Sequence, residues 1–167
     1  MSAPIIVSAL FGPADHAWLD ALRRQHYPAE RNRLAAHLTL FHHLPPSLEG
    51  ELRSRLLAET RGCGMPKAEL SGLIDLGGGV AFRIHSLALE AIRARLAEAF
   101  FGSLTPQDGA GWRPHVTIQN KVDPPVARAL LDQLGTNFRP RPVTIAGLAA
   151  YYYRGGPWEL IARYPFR

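Results

Sequence analysis

A four-residue pattern, His-x-Thr-apolar, occurs twice in this chain, as His37-Leu38-Thr39-Leu40 and as His115-Val116-Thr117-Ile118. Each copy sits at the same point of a longer repeat. The first half reads as a helix over about 14–26, with Trp18 and Leu22 on one face, and then a strand over 36–44. A helix over 47–61 follows, with Leu48, Leu52 and Leu56 recurring every four residues and Gly62 closing it. Strands 68–76 and 80–85 around Gly77-Gly78-Gly79 make a hairpin. The second half runs in the same order. Leu89, Ile92, Leu96 and Phe100 mark a helix, and a polar loop with Asp108-Gly109 leads to a strand over 114–122. Asp123-Pro124-Pro125 then opens a helix that Gly135 ends. Strands 143–153 and 158–166 close the copy around Gly155-Gly156-Pro157. His115 lies 78 residues after His37, and Gly147-Leu148 lies 75 after Gly72-Leu73.

A duplicated helix–strand–helix–hairpin unit predicts the α+β class. The expected architecture is a bilobal pseudo-two-fold duplication, in which two antiparallel sheets face a central cleft with helices on the outside. No linker composition interrupts the chain. Residues 1–167 are therefore read as one domain with an internal repeat, approximately 1–85 and 86–167.

Side chains alternate along a strand, so His37 and Thr39 share one face while Leu38 and Leu40 share the other. The second copy has the same alternation. With seven histidines and six threonines in 167 residues, chance supplies about a quarter of one such triplet. A lone strand histidine is usually structural, but two at equivalent points of a repeat reverse that reading. Two imidazoles suit in-line displacement at phosphorus, which needs a base on one side and an acid on the other. Histidine, with an ordinary pKa near 6.5, serves either role at neutral pH. Threonine hydroxyls at Thr39 and Thr117 can hold non-bridging oxygens. Arg113, two residues before His115, points to the same face and is the expected phosphate contact. Continuing along the faces, Phe41 and Tyr151 or Tyr153 are candidates to stack on a base. His43 and Lys121 are candidates to reach phosphate.

Composition narrows the rest. The formal charge is +5, and 17 of the 19 basic residues are arginine, which suits a phosphate-bearing partner without requiring one. The run 4–11 is apolar but too short to span a bilayer and reads as a first strand. The expectation is a cytoplasmic monomer with no membrane partner and no cofactor. Cys63, the single cysteine, reads as a small apolar filler near a helix end. A metal reading of His37, His42 and His43 is disfavoured: strand alternation turns His42 to the wrong face, and no carboxylate joins them.

These residues resemble the two-histidine phosphoesterase superfamily, in particular its bacterial branch of 2′-5′ RNA ligases or RNA 2′,3′-cyclic phosphodiesterases. Arg113-Pro114-His115-Val116-Thr117-Ile118 is similar to that family's second motif, and Gly156-Pro157-Trp158-Glu159-Leu160 to its last strand. The resemblance implies a bilobal fold around a cleft, no required metal, and opening of a 2′,3′-cyclic phosphate on an RNA end or small nucleotide. In some members 2′-5′ joining of RNA ends accompanies it. Carried over by position, His37 would protonate the 3′ leaving oxygen and His115 would activate water, although the repeat makes these roles exchangeable on sequence grounds. The family usually continues its first motif with an apolar and a small residue, whereas Phe41-His42-His43-Leu44-Pro45-Pro46 follows here. A different class of function, an RNA-end binding module without turnover, would share the cleft and the positive charge.

Overall fold

The computed structural model describes residues 3–62 and 64–167; the reading of Cys63 falls outside them. Among the described residues, seven strands and five helices follow in the order β1 (Ile5–Phe11), α1 (Pro13–His26), β2 (Leu38–Leu44), α2 (Glu49–Thr60), β3 (Lys67–Asp75), β4 (Val80–His85), α3 (Leu87–Ala99), α4 (Pro106–Gly109), β5 (His115–Gln119), α5 (Pro124–Thr136), β6 (Arg141–Tyr152) and β7 (Glu159–Pro165). The class is α+β, as the repeat predicts. No described helix is long and apolar enough to cross a membrane.

The strand pairs are antiparallel and form one sheet in the order β2-β1-β6-β3-β4-β5, with β7 also on β6. The two expected sheets are thus joined by a single long strand. Residues 145–152 of β6 pair with β1, residues 147–152 of it pair with β7, and residues 141–144 pair with β3. β1 is apolar nearly throughout because it lies between β2 and β6, with Ile5 and Val7 wholly buried.

The halves of the sequence are not the halves of the sheet. β5, from the second copy, pairs with β4 of the first hairpin, and α1, from the first copy, packs on β5. β2, from the first copy, reaches the second hairpin through β1 and β6. The two halves of the sequence are interleaved, so each histidine strand stands in the part of the sheet holding the hairpin from the other half. The ends of the strand order, β2 and β5, also touch. A sheet whose far edges meet must curl around, and the two motifs end up facing a common space.

The aliphatic faces behave as alternation requires: Leu38, Leu40, Val116 and Ile118 are all fully buried. Helix stripes cover the sheet. Leu52 and Leu56 of α2 pack toward β6 and β7, and Leu89, Ile92 and Leu96 of α3 are buried beside β3. Ser86 caps α3 by accepting from Leu89 N–H at 3.2 Å, whereas Asp123 precedes α5 without a side-chain cap bond.

The end of β5 is closely approached by the β3–β4 turn. Gly79, in the turn between β3 and β4, lies so near the end of β5 that a Cβ there would fall 1.9 Å from the Gln119 carbonyl oxygen. Gly72 has open space around its Cβ position. Gly79→Ala is expected to lower the urea midpoint by an amount equivalent to about 1–3 kcal/mol, because backbone must move to admit the methyl. Gly72→Ala should change the midpoint far less. Equal midpoints for the two variants would contradict this packing.

Candidate catalytic cleft

The space between β2 and β5 is a cavity of about 310 Å³ whose walls include His37, Thr39, Arg113, His115 and Thr117. Five of the sequence-predicted residues are therefore brought together. The two histidines are held in the same way. Nδ1 of His37 lies 2.8 Å from the carbonyl oxygen of Ala35, and Nδ1 of His115 lies 2.7 Å from that of Arg113. A carbonyl only accepts, so each Nδ1 carries a proton and each Nε2 is left for chemistry. Both threonines are half-buried on the cavity wall, and among the described residues neither hydroxyl has a protein hydrogen-bond partner.

Two buried arginines brace the motif strands, and Arg93 also lines the cavity. Arg23 on α1 stacks 4.2 Å over Tyr27 and donates to the Thr117 carbonyl at 3.0 Å and to Asn32 Oδ1 at 2.9 Å. Arg93 on α3 stacks 4.2 Å over Phe41 and donates to the Leu40 carbonyl at 3.1 Å and to the Asp108 carbonyl at 2.7 Å. Each arginine comes from one copy and braces the strand of the other. Trp112 adds a third tie, donating from Nε1 to the Thr39 carbonyl at 3.0 Å.

Burial pushes the His37 imidazole down to about 4, and the positive field of Arg23 together with the His115 and His42 rings adds to this, against the opposing hydrogen bond to Ala35. His37 is therefore neutral at pH 7, with Nε2 a free acceptor. Trp158 contributes to the enclosure, its ring centroid 4.8 Å from that of His37 in an edge contact, and Tyr151 lies 5.5 Å beyond it. These aromatics belong to a second hollow of about 660 Å³ that shares His37 with the first and also meets Arg33 and Arg163.

Four expected contacts lie elsewhere. Phe41 is fully buried under Arg93 and cannot stack on a base. His43 is exposed but does not line the cavity, whereas His42 does. The reason is two irregularities in the β1–β2 ladder. Val7 faces Phe41 while Ser8 faces Thr39, and Ile5 faces Leu44, so β2 carries an extra residue at each step. Alternation fails after Thr39, and the adjacent buried pair Leu40-Phe41 is its trace in the sequence. Lys121 lies beyond the end of β5 with a left-handed φ of 61°, in a shallow hollow with Glu30, Arg31 and Arg33. Tyr153 lies past the end of β6 and is exposed, away from the Tyr151–Trp158 pair. The residues that sequence reasoning did not place at the cleft are His42, Asp108, Arg93, Trp112 and Arg23. Among the described residues no group of three or more His, Cys, Asp or Glu side chains is placed to hold a metal ion.

Comparison with known proteins gives a consistent family. The family model for the 2′-5′ RNA ligase superfamily matches residues 11–157. Among solved structures, TT0787 of Thermus thermophilus is similar at 14% identity and a TM-score of 0.64, covering 98% of each chain. A crystal structure described as a phosphoesterase is similar at 14% identity and 0.59, covering 99% of each. E. coli LigT complexed with 3′-AMP is similar at 14% and 0.57, again covering 99% of each. No curated protein matches the sequence.

The depressed His37 makes a stability prediction whose sign is fixed. In the unfolded chain the ring takes up a proton as pH falls through about 6.5. In the folded chain it does so only near 4. Its contribution is thus fully present above about 6.5 and lost as pH falls toward 4. Urea midpoints at pH 7 and pH 5 should differ less in His37→Gln than in the unsubstituted protein, and an unchanged difference would refute the assignment.

Proposed function

Since the chain belongs to the 2′-5′ RNA ligase superfamily, we propose that its cleft opens 2′,3′-cyclic phosphates of RNA ends or small nucleotides by two-histidine acid–base catalysis without a metal. The observation that carries this reading is the matched pair of Nδ1-anchored imidazoles on the walls of one cavity. The phosphoryl group sits between the two Nε2 atoms, with the Thr39 and Thr117 hydroxyls and the Arg113 guanidinium on its non-bridging oxygens. The nucleoside extends into the neighbouring hollow against Trp158 and Tyr151.

The neutral state of His37 favours the reverse of the role order implied by the resemblance. His37 Nε2 accepts the proton of a water whose oxygen attacks phosphorus. The P–O3′ bond breaks, and His115 delivers a proton to the departing 3′ oxygen, leaving a 2′-phosphate. The histidines then exchange protons with solvent to reset. With the 5′-hydroxyl of a second RNA end in place of water, the same two groups would form a 2′-5′ linkage by the same displacement. The side chains that meet the phosphate are neutral or positive, which lets them hold a phosphodiester without an added cation.

Hydrolysis of a 2′,3′-cyclic nucleotide should persist in EDTA and yield a 2′-phosphate by phosphorus NMR. His37→Ala and His115→Ala should each lower kcat/KM by about 10²–10⁴. Salt-dependent RNA binding with no turnover would replace the enzyme reading with that of a binding module.

Placing His37 as the base makes a further prediction. The acid limb of kcat/KM against pH reports a free-enzyme group that must be unprotonated, so it should fall near pH 4, where His37 titrates. Trp158→Ala, which opens the wall beside the ring, should move that limb toward the ordinary histidine value. A limb unmoved by the change would exclude His37 as the base.

A further inference from the structure

One imidazole of the cavity is left unused by the mechanism above. The doubled irregularity of β2 brings His42 to the cavity wall, where its side chain is 44% exposed. Behind it stands the carboxylate of Asp108, only 1% exposed, with Oδ1 3.2 Å from His42 Nδ1. The same carboxylate accepts the backbone N–H of His42 at 2.9 and 3.0 Å and that of His43 at 2.9 Å. Burial works to raise the Asp108 pKa, but these hydrogen bonds and the His42 ring outweigh it and hold the group below the usual carboxylate range. A buried anion with those donors has one oriented task left, which is to fix the His42 ring with Nδ1–H inward and Nε2 toward the cavity.

We propose that His42, oriented by Asp108, is a third phosphoryl-binding imidazole that donates an Nε2–H bond to the phosphate and makes the cleft favour the doubly charged phosphomonoester product over the singly charged cyclic diester. The proposal rests on the cyclic phosphodiesterase reading of the same cavity and adds to it a group that the duplicated motif does not contain. The arrangement is charge-balanced. Facing His42 are Asp108 from α4, Arg93 from α3, His37 from beside its own strand, and Arg113 and His115 from β5 and its approach. Asp108 offsets one positive charge from behind, so a protonated His42 ring adds its donor without isolating a second buried cation. The two motif histidines must each change protonation during the reaction, whereas His42 has its Nδ1 proton fixed by the carboxylate and can hold the phosphate through both steps.

Inorganic phosphate is the probe, followed by isothermal titration at pH 6 and by inhibition of cyclic-nucleotide hydrolysis. His42→Asn keeps an amide near Nδ1 for Asp108 but loses the Nε2 donor. It is expected to weaken phosphate binding about 10- to 100-fold, the range for a charge-assisted hydrogen bond. The KM for the cyclic diester should rise by a smaller factor. His42→Gln, whose amide nitrogen reaches the Nε2 position, should recover part of the affinity. Asp108→Asn should shift the His42 ring nitrogen signals in nitrogen-15 spectra, because the Nδ1–H loses its carboxylate partner; should that variant fail to fold, the His42 pair alone decides. Equal phosphate affinity in His42→Asn and the unsubstituted protein overturns the proposal. Its failure is separable from that of the catalytic reading. Loss of hydrolysis in His37→Ala with no effect of His42→Asn on phosphate removes only the third imidazole. Phosphate binding untouched by both His37→Ala and His115→Ala removes the cleft assignment itself.

Discussion

The edges of a sheet leave backbone groups without a strand partner, and in this protein the two strands that end the sheet order line the candidate cavity. β2 and β5 stand at either end, so neither has a strand on its outer side. Their backbone groups are satisfied by side chains instead. Arg93 takes Leu40, Trp112 takes Thr39 and Arg23 takes Thr117, while Asp108 takes the N–H groups of His42 and His43. Had these groups been paired by another strand, the cavity would be filled by it. Had they been left to water, the strands would lack the rigidity that keeps the two imidazoles on one cavity. The site exists because the edges are tied without being covered.

Electrostatics follow from that solution. Burying guanidinium groups beside the motif strands costs solvation, which is why Arg23 and Arg93 both fall below the ordinary arginine value. Their stacking on Tyr27 and Phe41 and their bonds to carbonyl oxygens offset that cost. The positive field of Arg23 reaches His37 and adds to the burial that keeps it neutral. The cavity wall carries Arg113 and the imidazoles, with no carboxylate on either motif strand.

Much of this was legible in the sequence because it depends on local periodicity. Alternation within His37–Leu40 and His115–Ile118 assigns core and cleft faces correctly, and leucine spacing finds the helices. What was not legible depends on contacts far apart in the chain. Phe41, His42 and His43 change faces because β2 carries extra residues against β1, a register fact that propensity does not encode. Lys121 leaves the cleft where the chain turns past the end of β5 with a left-handed φ, which strand alternation does not foresee. Arg23 and Arg93 read as members of a scattered basic surface, and only the fold reveals them as the buried arginines among the described residues. Asp108, between Gln107 and Gly109, reads as turn chemistry until β2 is laid beside it.

The interleaving of the copies gives these long-range ties their meaning. A duplication whose lobes coincided with its halves would let each half complete its own motif strand, and the cleft would form only by docking. Here the arginine bracing β5 lies 94 residues before its partner, and the one bracing β2 lies 53 after. Neither strand is fully tied until the opposite copy is in position. Closing such loops early is entropically costly, so they form together with the shared core along β6 rather than before it. Consequently the placement of the two histidines on one cavity depends on the same long-range ties that close the core, with Leu38 and Val116 buried behind them.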